Sequence, residues 1–182
     1  RPGGWDWPQY RPFIEAALAA GVPIIAANVG REEARRVMRE GLVASGFDAT
    51  VPADVQAVLV QDIVASHCGL IDESMAARMA LAQVARDQFM ARVLAQHAER
   101  GVVLLAGNGH VRTDVGAPRW LPPALRARSQ AVGWLEAGDA AASAAERARY
   151  DAVRTTPAHV RPDPCEGMRK QIPARPAPHT AR

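Results

Sequence analysis

The chain has 182 residues, 48% hydrophobic and 23% charged, with two cysteines. That is enough for one globular domain with a core, and it excludes a disordered chain, a collagen-like fibre and a disulfide-dense miniprotein; no apolar run approaches the ~20 residues of a bilayer-spanning helix. The net charge of +3 sits wholly on residues 161–182, where Arg161, Arg169, Lys170, Arg175 and Arg182 outnumber Asp163 and Glu166, and a neutral body argues against a nucleic-acid partner.

Residues 1–10 read as a loop, with Pro8 suited to a helix's first turn. Phe13, Ile14, Ala17 and Leu18 then recur at helical spacing, and Gly21 closes that helix. Residues 22–27 form a short continuous apolar run, the pattern of a strand buried on both faces. Asn28, Val29, Gly30 and Arg31 make the turn into a helix over 32–44. Val55, Leu59, Ile63 and Val64 outline the next helix, ended by Cys68 and Gly69. Asp72 caps a long helix over 73–100, whose buried face carries Met75, Met79, Ala82, Phe89, Met90, Val93 and His97. Gly101 ends it, and residues 102–106 are a second buried-type strand. Weaker strands fall at 130–135 and 150–154, with a surface helix over 139–149 between them.

Strands separated by helices call for parallel pairing, so the fold class is α/β, a parallel-sheet core flanked by helices. One domain spans 1–160. Residues 161–182 form a Pro-rich basic tail expected to be disordered, because it cannot bury enough apolar area to offset its ordering entropy. Residue 1 is Arg and no charged-then-apolar leader follows it. The chain therefore reads as a fragment or mature portion that carries no targeting signal.

In a parallel sheet, ligands bind beyond the carboxyl ends of the strands. Parallel strands at 22–27 and 102–106 would bring Asn28, Asn108, His110, Arg112 and Asp114 to one cleft. Gly107 and Gly109 around Asn108 would let the backbone turn sharply and approach a ligand closely. His110 follows that turn directly and is the strongest single candidate; the alternative is a histidine that caps local backbone. Arg112 and Asp114 either pair across the loop at the surface or leave the Arg112 fork for a carboxylate. His67 stands at a helix end, where a cation is favoured in any case, or it is a ligand. His97 lies on the apolar stripe and reads as structural, and His159 and His179 belong to the tail region. Trp5, Trp7 and Tyr10 form either packing or a flat apolar wall, with Tyr10 able to supply a phenolate to iron.

Taken in order, the motifs resemble a known family. They are Trp5, Asp6, Trp7, Pro8, Gln9 and Tyr10; Ile25 to Asn28; Cys68 and Gly69; Gln83, Arg86 and Asp87 with Met90 and Ala91; Gly107, Asn108, Gly109, His110 and Arg112; Gly116, Ala117 and Pro118; and Pro162, Asp163, Pro164 and Cys165. The set resembles the ChaN-like haem-binding uptake proteins of the Tiki superfamily from about residue 5 to 166. The resemblance implies a bacterial periplasmic protein or envelope lipoprotein that binds haem. Its partners would be a homodimer and an outer-membrane haem uptake system. Superfamily relatives also include metal-dependent proteases and esterase-like enzymes. These share a Gly-x-x-His element, which Gly107 to His110 matches, and an earlier Gly-Glu-x-His element that this sequence does not contain, so the chain is read as starting after it.

Three readings follow. In the preferred one, a non-enzymatic protein binds haem through His110, His67 or Tyr10, with Arg112 or Arg31 at the propionates and Asn28 and Asn108 at the cofactor. In the second, a metal-dependent hydrolase holds a divalent metal at His110. In the third, the loops only pack. An envelope location would also permit a disulfide between Cys68 and Cys165, set against two independent thiols.

Overall fold

The computed structural model describes residues 7–138, 143–159 and 161–171. Among these, eight helices and a two-stranded sheet succeed one another. They are α1 (Trp7–Ala19), α2 (Arg31–Glu40), α3 (Ala53–Ser66), α4 (Glu73–Gln96), α5 (Asn108–Val111), α6 (Pro123–Arg126), β1 (Val132–Glu136), α7 (Ala144–Arg147), β2 (Ala152–Thr156) and α8 (Pro164–Gln171). Single 3₁₀ turns occupy Val43–Ser45, Ala98–Arg100 and Ala117–Trp120.

The largest core lies between helices. α2 and α3 both lean on α4, burying Val37, then Val55, Leu59 and Ile63, against Ala76, Ala80, Val84 and Ala85. Leu42, Phe47 and Val115 close its ends. Alanines on the inner face of α4 let its neighbours approach closely, since side-chain size sets the interaxial distance. Each buried valine or leucine contributes on the order of 1.5–3 kcal/mol over leaving it in water.

Local chemistry places the ends of these helices. The Asp72 carboxylate accepts the Met75 N–H at 2.8 Å and starts α4 as expected of an N-cap. α3 stops where Cys68 (φ +58°) and Gly69 (φ +68°) enter the left-handed region. The helix expected over 32–44 ends early at Glu40, because Gly41 turns to φ +85°. α1 contains the expected 13–18 segment but buries none of its residues; Trp7, Phe13 and Leu18 are exposed. His97, expected on the buried stripe of α4, is an exposed C-cap because the helix ends one residue before it.

The sheet is parallel, but it forms in the two weaker segments. Val132 stands opposite Ala152 and the register runs through to Glu136 opposite Thr156, with α7 in the crossover. The expected strands at 22–27 and 102–106 are a correction: neither forms a regular element. A strand exists only with a partner for its ladder, and among the described residues no backbone–backbone hydrogen bond ties residues 23–28 or 102–106. Their side chains stay outside, with Val22, Ile24, Ile25, Val102 and Leu105 exposed and Val103 93% accessible.

The stretch expected to be without order carries α8. The Asp163 carboxylate accepts the Cys165 N–H at 2.9 Å, and a Cys68–Cys165 disulfide anchors the helix to the end of α3. Trp5, residues 139–142 of the expected surface helix, and His179 lie outside the described residues.

Candidate functional site

The short helix α5 carries His110 toward α4. His110 Nδ1 lies 2.7 Å from Asp87 Oδ1. Asp87 is 2% exposed, whereas the His110 side chain keeps 24% of its surface open. Burial pushes the Asp87 carboxyl up to about 6, against the opposing hydrogen bond of His110 and the charges of Arg86 and Arg112. A carboxylate can only accept, so Nδ1–H donates and the tautomer is fixed. In a neutral imidazole Nε2 then carries the lone pair, and it has no hydrogen-bond partner among the described residues.

One turn of chain later, Arg112 is 6% exposed. Its Nε and Nη2 donate to the two oxygens of Asp114 at 2.9 and 2.6 Å, and Nη1 donates to Asp62 on α3 at 2.5 Å. Burial works against the guanidinium, yet these two carboxylates hold its pKa above the ordinary value. Burial likewise opposes the Asp114 carboxylate, but the bonds from Arg112 bring it below the usual range. The pairing expected at the surface is therefore buried, and the fork is already committed to carboxylates of the chain itself. Its role is to tie the loop after α5 to α3.

Gly116 makes this loop possible. A Cβ there would lie 2.5 Å from the His110 carbonyl oxygen and 2.8 Å from that of Arg112. Gly107 and Gly109, the glycines singled out in the sequence, have nothing within 4 Å and no positive φ. The close approach belongs to Gly116 instead.

The remaining candidates are dispersed. Asn108 spends its carboxamide on β1, donating to the Trp134 carbonyl at 2.6 Å and accepting the Trp134 N–H at 3.1 Å. His67 donates Nδ1–H to the Ile63 carbonyl at 2.7 Å, which satisfies the end of α3. Tyr10 is half-buried on α1. Asn28 and Arg31 are exposed, and no hydrogen bond or ion pair joins either to His110. The structure thus gathers His110, Arg112 and Asp114, and adds Asp87 and Asp62.

Asp87 and Asp62 were both missed as part of a site, and Asp87 left a trace in the sequence. Its signal was a carboxylate in register with Ala80, Val84 and Ala91 on the buried face of α4. A charge on an apolar stripe requires a partner.

The geometry can do one thing well. A carboxylate behind Nδ1 orients the imidazole and raises the donor strength of Nε2, the arrangement that supports a histidine ligand to a metal. No three His, Cys, Asp or Glu side chains gather as a metal site among the described residues. No helix among them is long and apolar enough to cross a membrane.

Comparison with known proteins agrees with the resemblance read from the motifs. No curated protein and no solved structure matches the chain. The family model described as "Haem-binding uptake, Tiki superfamily, ChaN" matches residues 2–121, from the N-terminal segment through the His110–Arg112–Gly116 loop and short of both strands. The chain belongs to the ChaN family of haem-binding uptake proteins in the Tiki superfamily.

Proposed function

We propose that the protein binds haem with His110 Nε2 as an axial ligand, and serves haem or iron acquisition outside the cytoplasm. The observation that carries this reading is the Asp87–His110 pair: a buried carboxylate accepts Nδ1–H, and Nε2, on the other side of a partly exposed ring, has no partner among the described residues. The donor set fits a porphyrin better than a bare cation. A catalytic divalent metal takes about three protein ligands, whereas haem iron already holds four ring nitrogens and needs one or two from the protein. When bound, haem would supply an iron that His110 would hold.

The chain's own residues do the rest. Asp87 holds the imidazole orientation, the Arg112–Asp62–Asp114 set fixes the loop, and Gly116 permits its close turn. His67 and Tyr10 remain proposed second ligands, supplied by this chain or by a homodimer partner. The Cys68–Cys165 disulfide supports a periplasmic or envelope-anchored location, because such bonds persist in oxidising compartments. Handing haem to or from an outer-membrane uptake system fits that location.

Haem titration followed by visible spectroscopy tests the reading. Wild type should give a saturable Soret shift, and His110→Ala should weaken it about tenfold or more. Absence of a shift in wild type would overturn the proposal.

A further inference from the structure

Where α2 packs on α4, the two helices leave an open cleft of about 140 Å³. Arg31 and Arg35 of α2 and Arg86 of α4 line it, with Met38, Met79 and Gln83. Among the described residues none of these three arginines meets a carboxylate, although Arg36 and Arg39 on the same helix both reach Glu40. Arg86 makes one bond, from Nη1 to Gln83 Oε1 at 3.2 Å. Its Nε is buried and has no acceptor. A buried donor left unpaired is costly, and no acceptor among the described residues satisfies this one.

The missing partner has a definable chemistry. A planar guanidinium presents a fork that matches the two oxygens of a carboxylate. The methionine walls suit an apolar stem behind that carboxylate. Size sets a further limit, because pockets for whole drug-sized ligands run from roughly 300 Å³ upward. This cleft fits an arm of a ligand rather than a macrocycle.

We propose that the cleft between α2 and α4 takes a carboxylate arm of the tetrapyrrole, with Arg86 as its principal donor and Arg35 and Arg31 beside it. This rests on the haem reading and adds where the ring's propionate is held. Arg86 and Asp87 are consecutive on α4, and Asp87 meets His110 at 2.7 Å, so one helix carries both the cleft and the partner of the histidine. Arg112, the other cation near the histidine, has its fork filled by Asp114 and Asp62.

The test compares haem with its dimethyl ester, whose propionates are uncharged, in the same mild detergent. Wild type, Arg86→Met and the exposed-site variant Arg35→Met are titrated, with thermal unfolding to verify that each folds. Haem should bind wild type about tenfold more tightly than the ester does. Arg86→Met should remove that preference while leaving the Soret position unchanged, and Arg35→Met should reduce it. Equal binding of acid and ester to wild type, with a normal Soret shift, would overturn the cleft assignment and leave the haem reading standing. So would an acid preference untouched in both variants. No Soret shift with either ligand would overturn the haem reading and the cleft assignment together.

Discussion

Asp87 and His110, 23 positions apart, meet at 2.7 Å with the carboxylate buried and the imidazole half-open. The pair joins the longest helix to the loop that follows residues 102–106, so its protonation bears on both ligand binding and stability.

Ligand binding should respond to pH through Asp87. Above about 6 the carboxylate accepts from Nδ1 and strengthens Nε2; below it the carboxyl is protonated and that support is lost. Haem affinity should fall as pH drops through about 6. Asp87→Asn should bind about 10–100-fold more weakly at pH 8 and lose most of this response, as measured by Soret titrations from pH 5 to 8.

Stability should respond in the opposite sense. The folded carboxyl titrates near 6, above its ordinary value of 3.8, so between these values the folded state holds more protons than the unfolded one. The contribution of this group is complete below about 3.8 and is lost as pH rises through 6. The Asp87→Asn variant should therefore gain stability relative to wild type as pH rises from 4 to 7, read by urea unfolding across that range.

Much of this was legible in the sequence, for identifiable reasons. Asp72 and Gly21 marked helix ends because capping is local chemistry. The helical spacing of Val55, Leu59 and Ile63 showed their buried face because it is periodic. His110 stood out because a histidine after Gly107, Asn108 and Gly109 has no place on a helical stripe. What stayed hidden depends on distant partners. Residues 22–27 and 102–106 have the composition of buried strands, but pairing cannot be read from composition, and the ladder formed at 132–136 and 152–156. Asp62 became part of the site only because α3 places it against Arg112, 50 positions away.

The Arg112 cluster should be asymmetric to mutation. Arg112 is the buried member, while Asp62 and Asp114 keep 39% and 38% of their side-chain surface open. Removing Asp114 leaves a buried cation with Asp62 as its remaining partner, at a cost of about 1–3 kcal/mol. Arg112→Met leaves two carboxylates that water can reach and an apolar chain in the old space, and should cost less than Asp114→Ala. Chemical denaturation of the two variants checks the order.

The glycines should separate in the same kind of experiment. Gly116→Ala drives a methyl into the carbonyls of His110 and Arg112 and should destabilise by about 1–3 kcal/mol, with weakened haem binding because His110 is displaced. Gly109→Ala meets open space inside α5 and should be neutral or mildly stabilising in thermal unfolding.

The disulfide should contribute through the length of chain it closes. Cys68 and Cys165 are separated by 97 positions, and the chain-entropy model gives up to about 4.7 kcal/mol for a loop of roughly this size. The bond joins the end of α3 to α8, a helix that the Asp163 turn starts and an internal Lys170–Glu166 bridge supports. Reduction, or Cys165→Ser, should lower the unfolding midpoint strongly. The His110–Asp87 contact does not pass through α8, so the haem Soret position should be unchanged below the new midpoint. Thermal unfolding with and without reductant, combined with thiol counting under denaturation, checks both: oxidised protein should yield no free thiol and the reduced protein two.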